Sequence, residues 1–233
     1  MPSERGTVSA IGRPSRRCSI NIPLLDAEVP ADASFCGMQE EGCLRKVRAS
    51  LATIGPIVES RAALSARIAS LDGYDYFLSP FPPRLDAPFP AYQVLTRDLT
   101  SHAYAFVRSD VEAALTGVCR TASIARNLVA SGDTLIGSMI GVALMKGSGA
   151  LLIEMLAELP ANHPLPDRCR QVFVPDGAME AGICSAMMGE GRYSTGSLRA
   201  FDADASVRIL TECNLEDQSW YWGQLFFDPK KTA

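Results

Sequence analysis

Only two histidines occur in the 233 residues, and that scarcity bounds the chemistry open to the chain. His102 and His163 each lack a second ligand at metal-binding spacing, so both are expected to be structural or surface groups. No H-E-x-x-H, G-x-x-x-x-G-K-S/T, G-x-S-x-G or S-x-x-K occurs, which removes the common zinc-peptidase, phosphate-loop and activated-serine arrangements. Gly189-x-Gly191 has neither the later glycine nor the preceding strand of a dinucleotide loop and reads as a turn. The sequence therefore offers no catalytic residue, no cofactor site and no metal site. Positive charge is not in excess either: 22 Lys and Arg stand against 26 Asp and Glu, a net charge of -4 that gives no pull toward a phosphate backbone. Nucleic acid is not an expected partner.

The N-terminal region has no long apolar run. After Arg16 and Arg17, the stretch from Cys18 to Asp26 is too short and too polar for a signal-peptide core, and Cys18 lacks the context of a lipidated cysteine. Membrane association is thus expected only through a missing N-terminal segment. The seven cysteines include no C-x-x-C, which argues against a thioredoxin-type pair and a zinc ribbon. In an oxidising compartment Cys36 and Cys43 are the first pair to join, across a short loop, and Cys169 with Cys184 is the second. The alternative is that Cys119 and Cys184 are small buried hydrophobes on helices and the others are free thiols.

What is present favours a helical core. Hydrophobic residues make up 47% and charged residues 21%, enough apolar material for one sizeable core, and aromatic residues are only 7%. Residues 1–35, with Pro2, Pro14, Pro23 and Pro30, read as a flexible arm. Residues 36–227 read as a single α-helical domain, and residues 228–233 as a tail resembling the start of a truncated helix. Leu44, Val47, Leu51 and Ile54 mark a first helix that ends near Gly55, and Pro56 opens a second. Five prolines between Pro80 and Pro90 define a Pro-rich strap at 79–90, held by aromatic neighbours.

Ser109 and Glu112 have capping-box spacing, and Val111, Leu115, Val118, Ala122 and Leu128 follow as a helical stripe up to Ser131-Gly132. Asp133 can cap the next helix, which carries Leu135, Ile136, Met139, Ile140, Ala143 and Leu144 as far as Lys146-Gly147. Ser148 would cap a third, ended by Pro160. A short helix at 167–173 and another from Pro175-Asp176 to Gly189-Glu-Gly191 come next. Ala203 to Cys213 looks helical, and Trp220 to Phe227 is an aromatic cluster. Such short connections predict a mainly α fold, an antiparallel helical bundle or stacked helical hairpins.

Thr134 to Ile153 has the length of a membrane span, and Gly137-x-x-x-Gly141 the spacing of closely packed membrane helices. Lys146 and the Gly147-Ser148-Gly149 break favour two buried helices of a soluble core. Glu154 and Glu158, one helical turn apart, read as a solvated face, and Arg120 and Arg126 are expected to face solvent or pair with carboxylates.

Gly132 to Gly141, Met155 to Pro160, His163 to Pro166, Phe81 to Leu85 and Gly42 to Leu44 together resemble a family of uncharacterised proteobacterial helical proteins. The resemblance spans roughly residues 36 to 173 and implies an N-terminal membrane helix, with the remainder in the periplasm and a chain that continues past Pro229. It implies no catalytic residue. The leading expectation is a non-enzymatic helical protein of the bacterial cell envelope, periplasmic or inner-membrane-associated, acting through a protein or peptide partner on a face that includes the strap. The alternatives are a cytoplasmic location, an enzyme with a site assembled from distant residues such as His102, Glu154 and Arg120, and an integral membrane protein through 134–153.

Overall fold

The computed structural model describes residues 35–38, 40–77, 92–175 and 177–203, and among these residues it is a bundle of eight packed α-helices with no strand. The expected arm up to residue 34, the strap at 79–90, the aromatic cluster at 220–227, the tail at 228–233 and any helix past Ala203 lie outside the described residues. The helices are α1 (Cys43–Ala49), α2 (Leu51–Ser60), α3 (Ala62–Ser70), α4 (Gln93–Val107), α5 (Val111–Ser131), α6 (Leu135–Glu158), α7 (Asp167–Val172) and α8 (Gly177–Ala203).

Helix α5 is the axis of the bundle, buried on several faces through Leu115, Val118, Cys119, Ala122, Ile124 and Val129. Its start differs from the sequence expectation by one residue. Ser109 adopts a left-handed φ of 68° and closes α4, with Asp110 N–H bonded back to the Ala105 carbonyl at 2.9 Å. A residue in that conformation is outside the N-cap geometry, so Asp110 takes the cap and its Oδ1 accepts from Ala113 N–H at 3.3 Å. Likewise Thr134, not Asp133, caps α6 by accepting from Gly137 N–H at 3.2 Å.

The expected break at Gly147-Ser148-Gly149 is absent, and α6 is one continuous helix of 24 residues. A glycine inside a helix costs about 1 kcal/mol locally, but Gly147 lies where a Cβ would come within 3.1 Å of the Met38 backbone and 3.0 Å of Leu99. Close packing therefore requires the glycine, and it offsets the local cost. Gly141 does the same against α5, where a Cβ would stand 2.9 Å from the Ala125 carbonyl. Gly137 faces Leu128 while Gly141 faces Ala125, so the two long helices run antiparallel. Helix α8 also passes through Gly189 and Gly191 instead of turning there, because Gly182 and Gly189 seat its backbone against Val129 and Asp133. Pro56 stands inside α2, and the breaks fall at Ser50 and Arg61, whose backbones leave helical geometry.

Candidate functional site

Helix α6 carries apolar residues on every side, and only one side is used by the core. Leu144, Leu151, Leu152 and Met155 are buried against the bundle. The opposite side carries Ile136, Met139, Ala143, Lys146, Ala150, Ile153 and Ala157, at alternating steps of three and four residues, and each is exposed or half-buried. That rhythm is the one a helix uses to receive another helix along a seam. Ile153 is 69% exposed and Met139 62%, values that mark protruding knobs, while Ala143, Gly149 and Ala150 leave gaps between them.

Two hollows flank the seam. One, of about 600 Å³, lies between α6 and α1 and is bordered by Glu41, Arg45, Arg48, Glu154 and Glu158. The other, of about 520 Å³, is almost wholly apolar and is bordered by Val142, Met145, Lys146, Gly149, Phe173 and Met179. Ala150 and Ile153 border both.

The α1 side is fastened by Glu154. Its carboxylate accepts the N–H groups of Gly42 at 2.6 Å, Cys43 at 3.1 Å and Leu44 at 2.9 Å, which leaves the first turn of α1 satisfied by a side chain from α6. Gly42 turns into that position with φ +83°, a conformation that favours glycine. One turn on, Glu158 binds Arg48 through both carboxylate oxygens, and this bond holds the Glu158 carboxyl below its ordinary pKa. The pair read from sequence as a solvated face is therefore a clasp between helices. Cys36 and Cys43 are joined at a Cα separation of 5.3 Å, and Cys36 N–H bonds Thr100 Oγ1 at 2.9 Å.

The other side is held through α7. Cys169 pairs with Cys119 of α5 at a Cα separation of 5.1 Å, not with Cys184, which is free and exposed on α8. The reason is that α7 packs on α5 and buries Cys169 there, whereas Cys184 points to solvent. Arg126 reaches the same helix from α5. Its Nη1 donates to the carbonyls of Gln171, Val172 and Val174 at 3.2, 2.9 and 2.8 Å, a cation on the C-terminal end of α7.

A buried polar cluster lies elsewhere, between α3, α4 and α5. Ser65 Oγ donates to Asp98 at 2.6 Å, Asp98 lies 3.5 Å from His102 Nε2, and His102 Nε2 is 2.9 Å from Thr121 Oγ1. Gly117 leaves the space that the imidazole occupies. Burial pushes the His102 pKa below 6.5, with Asp98 opposing and nearby Arg120 adding to the shift. An imidazole kept neutral in the fold and protonated in the unfolded chain makes stability fall as pH drops below about 6.5. Melting His102→Gln beside the parent at pH 7.5 and pH 5 should show that part of the acid loss removed; identical losses in both proteins would contradict it.

These contacts do not assemble the distant-residue enzyme site. Glu154 is bonded to α1, His102 to Thr121, and among the described residues no group of three His, Cys, Asp or Glu side chains is placed to hold a metal ion. The chain matches no family model, no curated protein and no solved structure. His163 stays in the turn after α6, as the prolines around it imply. Sequence reasoning missed the seam, although the signal was present: apolar or small residues recur on the side of α6 opposite Leu144, Leu151 and Met155.

Proposed function

We propose that this protein is a non-enzymatic helical docking protein of the bacterial cell envelope, and that an amphipathic helix of a protein partner lies along the α6 seam. The observation that carries the reading is an exposed helix face with a three-and-four rhythm of apolar and small residues, flanked by two hollows. Such a face left open to water is costly, and contiguous apolar surface of this kind usually marks a contact site. Two bonded cysteine pairs support an oxidising compartment, and the periplasm is the envelope compartment that meets this need. The strap at 79–90, which carried the docking face in the sequence expectation, lies outside the described residues, and the face proposed here is the one on α6.

A charge at the main knob tests the reading. Ile153→Glu should reduce recovery of partner proteins from a host envelope extract by about tenfold or more, as loss of a central interface anchor does, while Tyr76→Glu, exposed but away from both hollows, leaves recovery unchanged. Equal recovery by all three proteins would count against the seam.

A further inference from the structure

Lys146 breaks the apolar pattern at the middle of the seam, with Met139 and Ile153 each seven residues away. It is exposed, and the other residues bordering its hollow are Val142, Met145, Gly149, Ala150, Ile153, Phe173 and Met179, none of which offers a charge. Among the described residues Lys146 makes no hydrogen bond or ion pair. The carboxylates of the opposite hollow are committed in part: Glu154 to three N–H groups of α1 and Glu158 to Arg48, with Glu41 on the far side of the seam.

We infer that the partner helix presents a carboxylate to Lys146, which makes this lysine the specificity-determining residue of the seam. The inference rests on the docking reading above. A wholly apolar helix laid over the seam would bury the ammonium group without a counter-charge, and such a group opposes binding until an acid meets it. A single charged residue in an otherwise apolar seam also fixes register, because any slip by one turn separates the pair. The same residue disfavours a second copy of this chain as occupant. In-register pairing of two α6 helices, parallel or antiparallel about the midpoint, sets Lys146 against Lys146, and like charges at the centre of an interface are repulsive. A lipid surface fits poorly as well, since the α1 hollow beside the seam is bordered by Glu41, Arg45, Arg48 and Glu158.

The test is a charge swap with two synthetic amphipathic helical peptides that differ only at the central seam position, Glu in one and Lys in the other. Titration calorimetry measures each peptide against the parent protein and against Lys146→Glu. The parent should bind the Glu peptide about tenfold or more tightly than the Lys peptide, and Lys146→Glu should reverse the preference. Equal binding of both peptides by both proteins would overturn the carboxylate inference and leave the docking reading standing. No binding in any of the four combinations would overturn the docking reading itself. Sedimentation of the protein alone should show a monomer; a dimer dissolved by Ile153→Glu would give the seam to a second copy and overturn the inference. Retention on phosphatidylcholine vesicles that Ile153→Glu abolishes would give it to lipid, with the same consequence.

Discussion

Replacing Cys119 and Cys169 together by alanine should lower the melting temperature by about 10 °C. The bond closes a loop of 50 residues, for which the lost chain entropy of the unfolded state corresponds to about 4 kcal/mol. For a chain of this size each kcal/mol moves the midpoint by about 2–4 °C. Both sulfurs are buried between α5 and α7, so alanine also leaves a small void there. The Cys36–Cys43 bond closes a loop of only seven residues, so the same replacement there should cost less, about 2 kcal/mol. Cys184→Ser should leave the midpoint unchanged, since that thiol is exposed and unpaired. Calorimetric melts of the three variants check the order. A peptide map joining Cys169 to Cys184, with an unaltered melt for the Cys119 and Cys169 variant, would contradict it.

Glu154→Ala should cost about 3–4 kcal/mol and release α1 from α6. Hydrogen bonds to a charged acceptor contribute about 1.5–3 kcal/mol each, but three sharing one carboxylate are not additive, so the sum is lower than three times one bond. Alanine leaves the N–H groups of Gly42, Cys43 and Leu44 without that acceptor at a part-buried position. Glu154→Gln keeps one acceptor oxygen and should fall between the two. Hydrogen exchange read at residues 42–49 separates local release of α1 from general loosening. Fast exchange confined to that segment is the expected pattern, and unchanged protection there would show that Glu154 does not hold the helix.

The helical class and several helix cores were legible because the segments of α1 and α5 each carry a periodic stripe that a core requires, whereas no stripe was read over α4. Boundaries were less so. Gly147-Ser148-Gly149 and Gly189-Glu-Gly191 read as stops because glycine is a poor helix former by itself, and only the approach of Met38, Leu99 and Asp133 shows that these positions need to be small. Ser109 was taken for a cap because its spacing to Glu112 is right, while the left-handed backbone that shifts the cap to Asp110 depends on how α4 ends. The partner of Cys169 is set by α7 lying against α5, a contact between residues 50 apart that spacing does not disclose.

The seam was hidden for a different reason. A helix that is apolar on both sides gives no amphipathic contrast, so Ile136 and Met139, which are exposed, were grouped with Leu144, which is buried. The clasp by Glu154 and Glu158 was hidden because their partners, Gly42 to Leu44 and Arg48, lie about a hundred residues earlier in the chain.

Photo-crosslinking in the host cell tests the docking account most directly. A benzophenone amino acid placed at Ile153, at Met139, and at Arg67 as a control on α3, is irradiated with the protein at its native level. The account predicts the same protein adduct from Ile153 and Met139, absent from Arg67, with the attachment point on an amphipathic helix of the partner. No protein adduct from either seam position, or the same adducts from Arg67, would contradict it.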